Sequence, residues 1–189
     1  NLDELMARFA IARLLHRLAI AGHGDEFVLK GATLFTVWQG EPHRATRDVD
    51  LLGHGTPSIE RLEALFRLVA VAEPAEADGL VFDPASVVGG RIREDQEYEG
   101  VRITLMATLT NARIRLQVDV GFGDVVLPAP ELVEIPALLG FPPTQLRAYP
   151  KEAVIAEKLH AIALLGEANT RLKDYFDLWT LARGHAFEG

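Results

Sequence analysis

Cysteine is absent from this 189-residue chain, which excludes a disulfide framework and a thiolate zinc site. No apolar run approaches the roughly 20 residues of a membrane helix. The N-terminal segment is a charged amphipathic stretch rather than a signal peptide. These absences fit a cytoplasmic protein without membrane contact. Internal repeats and low-complexity tracts are missing as well. So is an excess of positive charge: the formal net charge is −8, and an acidic chain is a poor non-specific binder of nucleic acid. Contact with a short RNA end stays open, because local basic residues suffice for it. What the chain does have is apolar mass. Hydrophobic residues make up 49% of it, enough for a substantial core in one domain, or one domain with a small lobe.

Leu2 to about Ala21 has helical periodicity. Leu2, Leu5, Phe9, Ala12, Leu15 and Leu18 recur on one face, while Asp3, Arg8, Arg13 and Arg17 are expected to face away. Gly22 and Gly24 end it. Phe27-Val28-Leu29 reads as a short buried strand, followed at once by Lys30-Gly31-Ala32-Thr33 and a helix from about Thr33 to Trp38. A charged loop rich in breakers, 40–47, leads into a strand from Asp48 to Leu52. Thr56-Pro57 is expected to cap a helix carrying Ile59, Leu62, Leu65, Phe66 and Val69. Leu80 to Phe82 is a strand, and the segment to Glu97 is a candidate for another. The clearest pattern is a hairpin over Gly100 to Val120. Val101, Ile103, Leu105, Ala107 and Leu109 alternate with polar neighbours, as do Ile114, Leu116, Val118 and Val120 after a turn at Thr110-Asn111. From Leu127 to Pro143, prolines and glycines punctuate a connecting segment. Two helices follow, about Lys151 to Leu165 and Arg171 to Arg183, with Leu172, Tyr175, Phe176 and Trp179 as the buried side of the second. That helix stops close to Gly189, which leaves open a native chain that is trimmed there or continues beyond it.

Asp48-Val49-Asp50-Leu51 carries the chemistry. Residues two apart on a strand share a face, so Asp48 and Asp50 project together while Val49 and Leu51 enter the core. Carboxylates that close repel unless a cation sits between them. Mg²⁺ suits such a pair, since it takes oxygen ligands from one or two carboxylates together with substrate phosphates. Asp-x-Asp alone is common, and a solvent-facing acid pair at a strand end is the bland alternative. Upstream, a buried strand runs into Lys30-Gly31-Ala32-Thr33 and a helix. Glycine permits close backbone approach, and a helix N-terminus with the Thr33 hydroxyl can face a phosphate. Asp119 is a third acid, flanked by Val118 and Val120 on the last hairpin strand. A metal or a substrate hydroxyl would partner it. The alternatives are a strand-end acid in water or a pair with Arg113 or Arg115. Asp124 is a weaker candidate, in a loop after two glycines. Arg44, Thr46 and Arg47 either contact phosphates or the acceptor, or are simply solvated. The six histidines show no metal-ligand spacing, and His160 reads as packing or support.

These motifs together resemble the nucleotidyltransferases of the AbiEii/AbiGii toxin type. The resemblance rests on Lys30-Gly31-Ala32-Thr33, on Arg44-Ala45-Thr46-Arg47-Asp48-Val49-Asp50-Leu51, on Glu157-Lys158-Leu159-His160, and on Arg171-Leu172-Lys173-Asp174-Tyr175-Phe176-Asp177. It covers about Phe27 to Arg183. Ala32 departs from the family's usual small residue and lacks a hydroxyl, so phosphate binding would rest on backbone N–H groups and Thr33. The resemblance implies an α+β fold. Its polymerase β-like nucleotidyltransferase core with a mixed sheet would span 1–145, including the N-terminal helix, and a C-terminal helical lobe 146–189. It implies a metal-dependent nucleotidyltransferase, the toxin of a toxin–antitoxin pair, that moves a nucleotide from an NTP to an RNA such as the tRNA 3′ end. The partners would be the nucleoside triphosphate, that tRNA and a separately encoded antitoxin. Asp48, Asp50 and Asp119 would hold Mg²⁺ or Mn²⁺. Lys30, Gly31, Thr33, Arg44 and Thr46 would bind the nucleotide. Lys158 would be the triphosphate lysine, and Asp174 a functional acid positioning Lys158 or Arg171. Without the resemblance, Lys158 is a surface lysine paired with Glu157, Asp174 an acid favoured by the helix dipole, and Asp177 a structural cap. Two rivals remain: transfer of AMP or another nucleotide to a protein or small molecule, which the net acidity favours, and a non-catalytic NTP-binding module.

Overall fold

The alternating hairpin of the sequence becomes the centre of a seven-stranded mixed sheet, ordered β3-β4-β5-β2-β1-β7-β6. The strands are β1 (Phe27–Lys30), β2 (Asp48–Gly53), β3 (Leu80–Ile92), β4 (Gly100–Leu109), β5 (Ala112–Phe122), β6 (Glu131–Ile135) and β7 (Thr144–Ala148). The helices are α1 (Leu2–Ile20), α2 (Thr33–Gln39), α3 (Ile59–Val71), α4 (Lys151–Leu165) and α5 (Leu172–Gly184). The protein, a computed structural model, is described over residues 2–40, 46, 48–92, 100–166 and 169–184. Arg44 and Arg47, the end of the candidate second strand from 93 to 97, and His43 and His185 therefore lie outside the described residues.

β4 and β5 pair antiparallel with Leu109 opposite Ala112 across the two-residue turn, and Thr110 there takes a positive φ of 55°. β5 runs parallel to β2, β2 antiparallel to β1, and β1 parallel to β7. Val49, Leu51, Val101, Ile103, Leu105, Leu116, Val118 and Val120 are sealed in the core with Leu14, Leu15 and Leu18 of α1 and Leu62, Phe66 and Val69 of α3. The polar residues between them occupy the other face of the sheet, as the two-residue period requires.

Several expectations need correction. α3 is capped by Ser58, not by Thr56-Pro57: the Ser58 hydroxyl accepts the Arg61 N–H at 3.1 Å. The β3 strand is one element, not a strand ending at Phe82. Its register shifts between Asp83 and Val88, around Pro84, and the Ser86 hydroxyl there accepts the Met106 N–H at 2.8 Å. The proline-punctuated connection contains a strand, β6, which pairs antiparallel with β7. Its pattern was masked because this sheet-edge strand is largely exposed, so no apolar alternation marks it.

On α1, Arg13 and Arg17 do not face away but are buried, while Leu2 and Leu5 are exposed. Asp78 is the reason. Its carboxylate accepts Arg13 Nε at 2.7 Å and Arg17 Nη1 and Nη2 at 2.6 and 2.9 Å. The guanidiniums also lie over the rings of Phe141 and Phe82. Burial alone would raise the Asp78 pKa, but the hydrogen bonds from Arg17, Arg13 and the Leu80 N–H outweigh it and hold the carboxyl at about 2.

The C-terminal helices are turned the other way round from expectation. Leu172, Tyr175, Phe176 and Trp179 are all exposed, Leu172 at 77% and Trp179 at 54%. Asp174 and Asp177 are buried instead, Asp177 completely. Lys158 of α4 fills the space between them, at 2.9 Å from Asp174 Oδ1 and 2.7 Å from Asp177 Oδ2. A lysine shared by two carboxylates fixes which face of α5 turns inward, because unpaired buried charges are far costlier than exposed aromatic rings. Asp177 is thus an ion-pair partner of Lys158 rather than a cap.

Candidate active site

The polar face of the central strands assembles the site. β2 and β5 are parallel and in register, which sets Asp50 directly beside Asp119 and Asp48 beside Gln117. β1 sets Lys30 opposite Asp50 on the other side. Residues from 30, 50 and 119 therefore meet in a row across three adjacent strands, though they are far apart in sequence.

Gly31 shapes one wall. It has a φ of +73°, and a Cβ built there would collide with Asp50 Oδ2. The close approach that this glycine permits is that of the site's own carboxylate. Burial pushes the Asp50 carboxyl up to about 6, and the neighbouring Asp119 adds to the effect, against the opposing Lys30. The carboxylate is short of positive charge.

Asp119 is not so left. Arg102, its in-register neighbour on β4, grips both oxygens, Nε to Oδ1 at 2.8 Å and Nη2 to Oδ2 at 2.7 Å. Gln117 Nε2 donates to Oδ2 at 3.3 Å. The partner is thus neither Arg113 nor Arg115, which lie further along the strand opposite Thr108 and Met106. Arg102 is the functional neighbour that alternation alone does not single out, and the two-residue turn at Thr110-Asn111 fixes the register that pairs it with Asp119.

Lys30 reaches away from Asp50 to a second cluster. Its Nζ donates to Asp124 Oδ2 at 2.9 Å and Glu157 Oε1 at 2.8 Å, and the Tyr149 hydroxyl donates to Asp124 Oδ2 at 2.9 Å. Burial would lower the lysine's pKa, but Glu157, Tyr149 and Asp124 outweigh it and hold it above the ordinary range. Burial raises the pKa of the Tyr149 hydroxyl. Asp124 therefore enters the cluster, and Glu157 pairs with Lys30 rather than with its neighbour Lys158. Tyr149 carried no signal in the sequence, and Glu157 stood there only as part of the Glu157-Lys158-Leu159-His160 motif.

Thr33 opens α2, directly after the Lys30-Gly31-Ala32 turn. Its hydroxyl is buried without a hydrogen-bond partner among the described residues. It lines a cavity of about 120 Å³ with Arg8, Ile11 and Leu15 of α1 and with Thr36 and Thr46. Thr46 also donates from its hydroxyl to the Asp48 carbonyl at 3.2 Å. Lys158 and Asp174 are paired with each other, in the triad with Asp177.

The chain belongs to the nucleotidyl transferase AbiEii toxin family, of type IV toxin–antitoxin systems. The family model matches residues 13–189. Among solved structures, the AbiEii chain is similar in fold to JHP933 from Helicobacter pylori, with a TM-score of 0.64 and 20% identity over 95% of this chain and 66% of that one. It is also similar to an antigenic nucleotidyltransferase-like protein from Paracoccidioides brasiliensis, with a TM-score of 0.54 and 12% identity over 90% of this chain and 73% of that one. The chain thus spans somewhat under two thirds of the length of JHP933. No curated protein matches it in sequence. The mixed sheet and flanking helices are the nucleotidyltransferase-like fold that the sequence led one to expect.

Proposed function

We propose that this AbiEii family member is a metal-dependent nucleotidyltransferase that moves a nucleotide from an NTP to an RNA such as the tRNA 3′ end, as a toxin countered by a separately encoded antitoxin. The observation that carries the reading is the in-register Asp50–Asp119 pair beside Asp48, with Gly31 giving Asp50 its room. The RNA acceptor and the antitoxin rest on family membership alone.

The donor set fits a divalent cation. Burial, with the neighbouring Asp119 adding to it, pushes the Asp50 carboxyl up to about 6, a state that a bound cation relieves. Among the described residues no group of three His, Cys, Asp or Glu is close enough to hold an ion by itself. That suits Mg²⁺ or Mn²⁺ taken up with the triphosphate, through one or two carboxylates and phosphate oxygens. Asp48 and Asp50 would hold it, with Asp119 as the third carboxylate. When bound, the ion supplies Lewis-acid stabilisation of charge on the phosphoryl oxygens.

The chain's own residues do the rest. The acceptor hydroxyl oxygen forms a bond to the α-phosphorus as the α–β anhydride bond breaks and pyrophosphate leaves. Asp119 helps activate that hydroxyl, as a ligand of the ion or as the general base that takes up its proton. Lys30, Lys158 and the Thr46 hydroxyl lie on the elements around the site as candidates for the triphosphate charge, and both lysines must exchange a carboxylate partner to meet it. Asp174 positions Lys158 through its 2.9 Å contact.

Total tRNA incubated with each α-labelled nucleoside triphosphate and Mg²⁺, beside Asp48→Ala, tests the reading. Label on tRNA that disappears in the variant is the expected result. Label that goes instead to protein or to a small molecule replaces the RNA acceptor and keeps the chemistry. Label that is undiminished in Asp48→Ala removes the site.

A further inference from the structure

Arg102 is unlike the other cations near the site. It lies on the solvent side of the sheet, with its side chain 45% exposed, yet it makes the closest and most symmetric contact to a site carboxylate. It spans both oxygens of Asp119, the bidentate geometry that makes arginine–carboxylate pairs strong. The carboxylates of Asp48 and Asp50 also act on it, although they make no hydrogen bond to it. One cation thus faces a row of acids from the outer strand, while Lys30, on the inner side, is bound to Asp124 and Glu157.

We infer that Arg102 is an exchangeable counter-ion: it occupies Asp119 until a divalent cation displaces it, and so sets the cation affinity of the site. The inference rests on the nucleotidyltransferase reading for its choice of cation. Each oxygen of Asp119 accepts one guanidinium N–H, so an ion bound by Asp119 shares both oxygens with that positive charge. Exposure makes the exchange feasible, because the freed guanidinium can turn into water or onto an incoming phosphate. Gln117, from the same strand as Asp119, keeps one oxygen oriented when Arg102 leaves. A unit positive charge a few ångströms from a divalent ion in a partly solvated cleft weakens its binding by about tenfold.

The test is Mn²⁺ binding to the protein in the presence of a non-hydrolysable α,β-methylene nucleoside triphosphate, followed by the water-proton relaxation enhancement of protein-bound Mn²⁺, for the wild type, Arg102→Gln, Arg102→Lys and Arg102→Gln combined with Asp119→Asn. Circular dichroism confirms that each variant is folded. Expected is Mn²⁺ binding about tenfold tighter in Arg102→Gln. Arg102→Lys should fall between it and the wild type, and the double variant should lose the gain. Equal or weaker binding in folded Arg102→Gln, or no measurable binding in any variant, overturns the counter-ion role. The label-transfer assay separates this from the wider reading. Transfer by the wild type with unchanged Mn²⁺ affinity in Arg102→Gln overturns only Arg102's role. Tighter Mn²⁺ in Arg102→Gln without transfer to any acceptor supports Arg102's role and overturns the transferase reading.

Discussion

In the central sheet, Leu105, Leu116 and Val118 are sealed while charged residues line the open face. In the α4/α5 pair, Lys158, Asp174 and Asp177 are inside while Tyr175, Phe176 and Trp179 lie outside. The first region is held by apolar burial, at about 25 cal/mol per Å². The second is organised by a shared cation, and buried ion pairs are weak evidence for stability but strong determinants of geometry. The contrast teaches that the helix pair is built to place a charge, whereas the sheet is built to be stable. Asp50 sits at the border between them, on a stable strand and with an incompletely compensated charge.

The sharpest way to break this comparison is to remove the interior residue of each region. Leu116→Ala in the sheet should cost about 2–5 kcal/mol by cavity formation. Lys158→Ala should cost about 3–5 kcal/mol, because it leaves two buried carboxylates without their shared cation. Urea unfolding measures both, and a Lys158→Ala protein as stable as wild type would mean that the triad carries no structural weight. Next is Gly31→Ala, in which the new Cβ meets Asp50 Oδ2 at a positive φ. The φ alone costs about 1–2 kcal/mol, and displacement of Asp50 should also abolish label transfer. A Gly31→Ala enzyme with wild-type transfer would show that Asp50 can move without consequence.

Asp50 itself should change stability in the opposite direction. Its folded carboxyl at about 6 lies above the unfolded value of about 3.9. The folded chain therefore keeps a proton that the unfolded chain has lost. The stability this group contributes is fully present below about pH 4 and is lost as pH rises through about 6. Asp50→Asn stays uncharged, so it should be more stable than wild type by on the order of 1–2 kcal/mol at pH 7, with the gain gone at pH 4. Denaturant titrations at the two pH values check this, and a destabilised variant at pH 7 would contradict the charge-shortage account. The smallest effect belongs to the outer aromatics of the helix pair. Phe176→Ala and Trp179→Ala should each shift stability by less than about 0.5 kcal/mol, and thermal melts showing more would mean that these rings are packed.

Most of the sheet was legible because alternation with a period of two is a strong signal in β4 and β5, and a two-residue turn then fixes their register. The same arithmetic pairs Arg102 with Asp119, since the sum of paired positions is constant along the hairpin. Asp48 and Asp50 were legible from their shared strand face. Lys30, the cross-strand neighbour of Asp50, and the wall at Gly31 were legible only as a nearby motif, since their placement beside Asp50 depends on β1 lying beside β2. The helix pair was misread because periodicity assumes that apolar residues turn inward. In α5 the acids at positions 174 and 177 turn inward, and only the position of Lys158 on another helix reveals why. Arg13 and Arg17 escaped for the same reason: their carboxylate, Asp78, lies more than sixty residues away.

The most direct test of the central claim, that the Asp50–Asp119 pair is a nucleotidyl-transfer centre, is the initial rate of transfer from α-labelled nucleoside triphosphate in wild type, Asp50→Asn and Asp119→Asn, with folding verified for each. The account predicts that both variants stay folded, Asp50→Asn with raised stability at neutral pH, and that both lose transfer by at least about a hundredfold. Folded Asp50→Asn and Asp119→Asn proteins that transfer at the wild-type rate would contradict it.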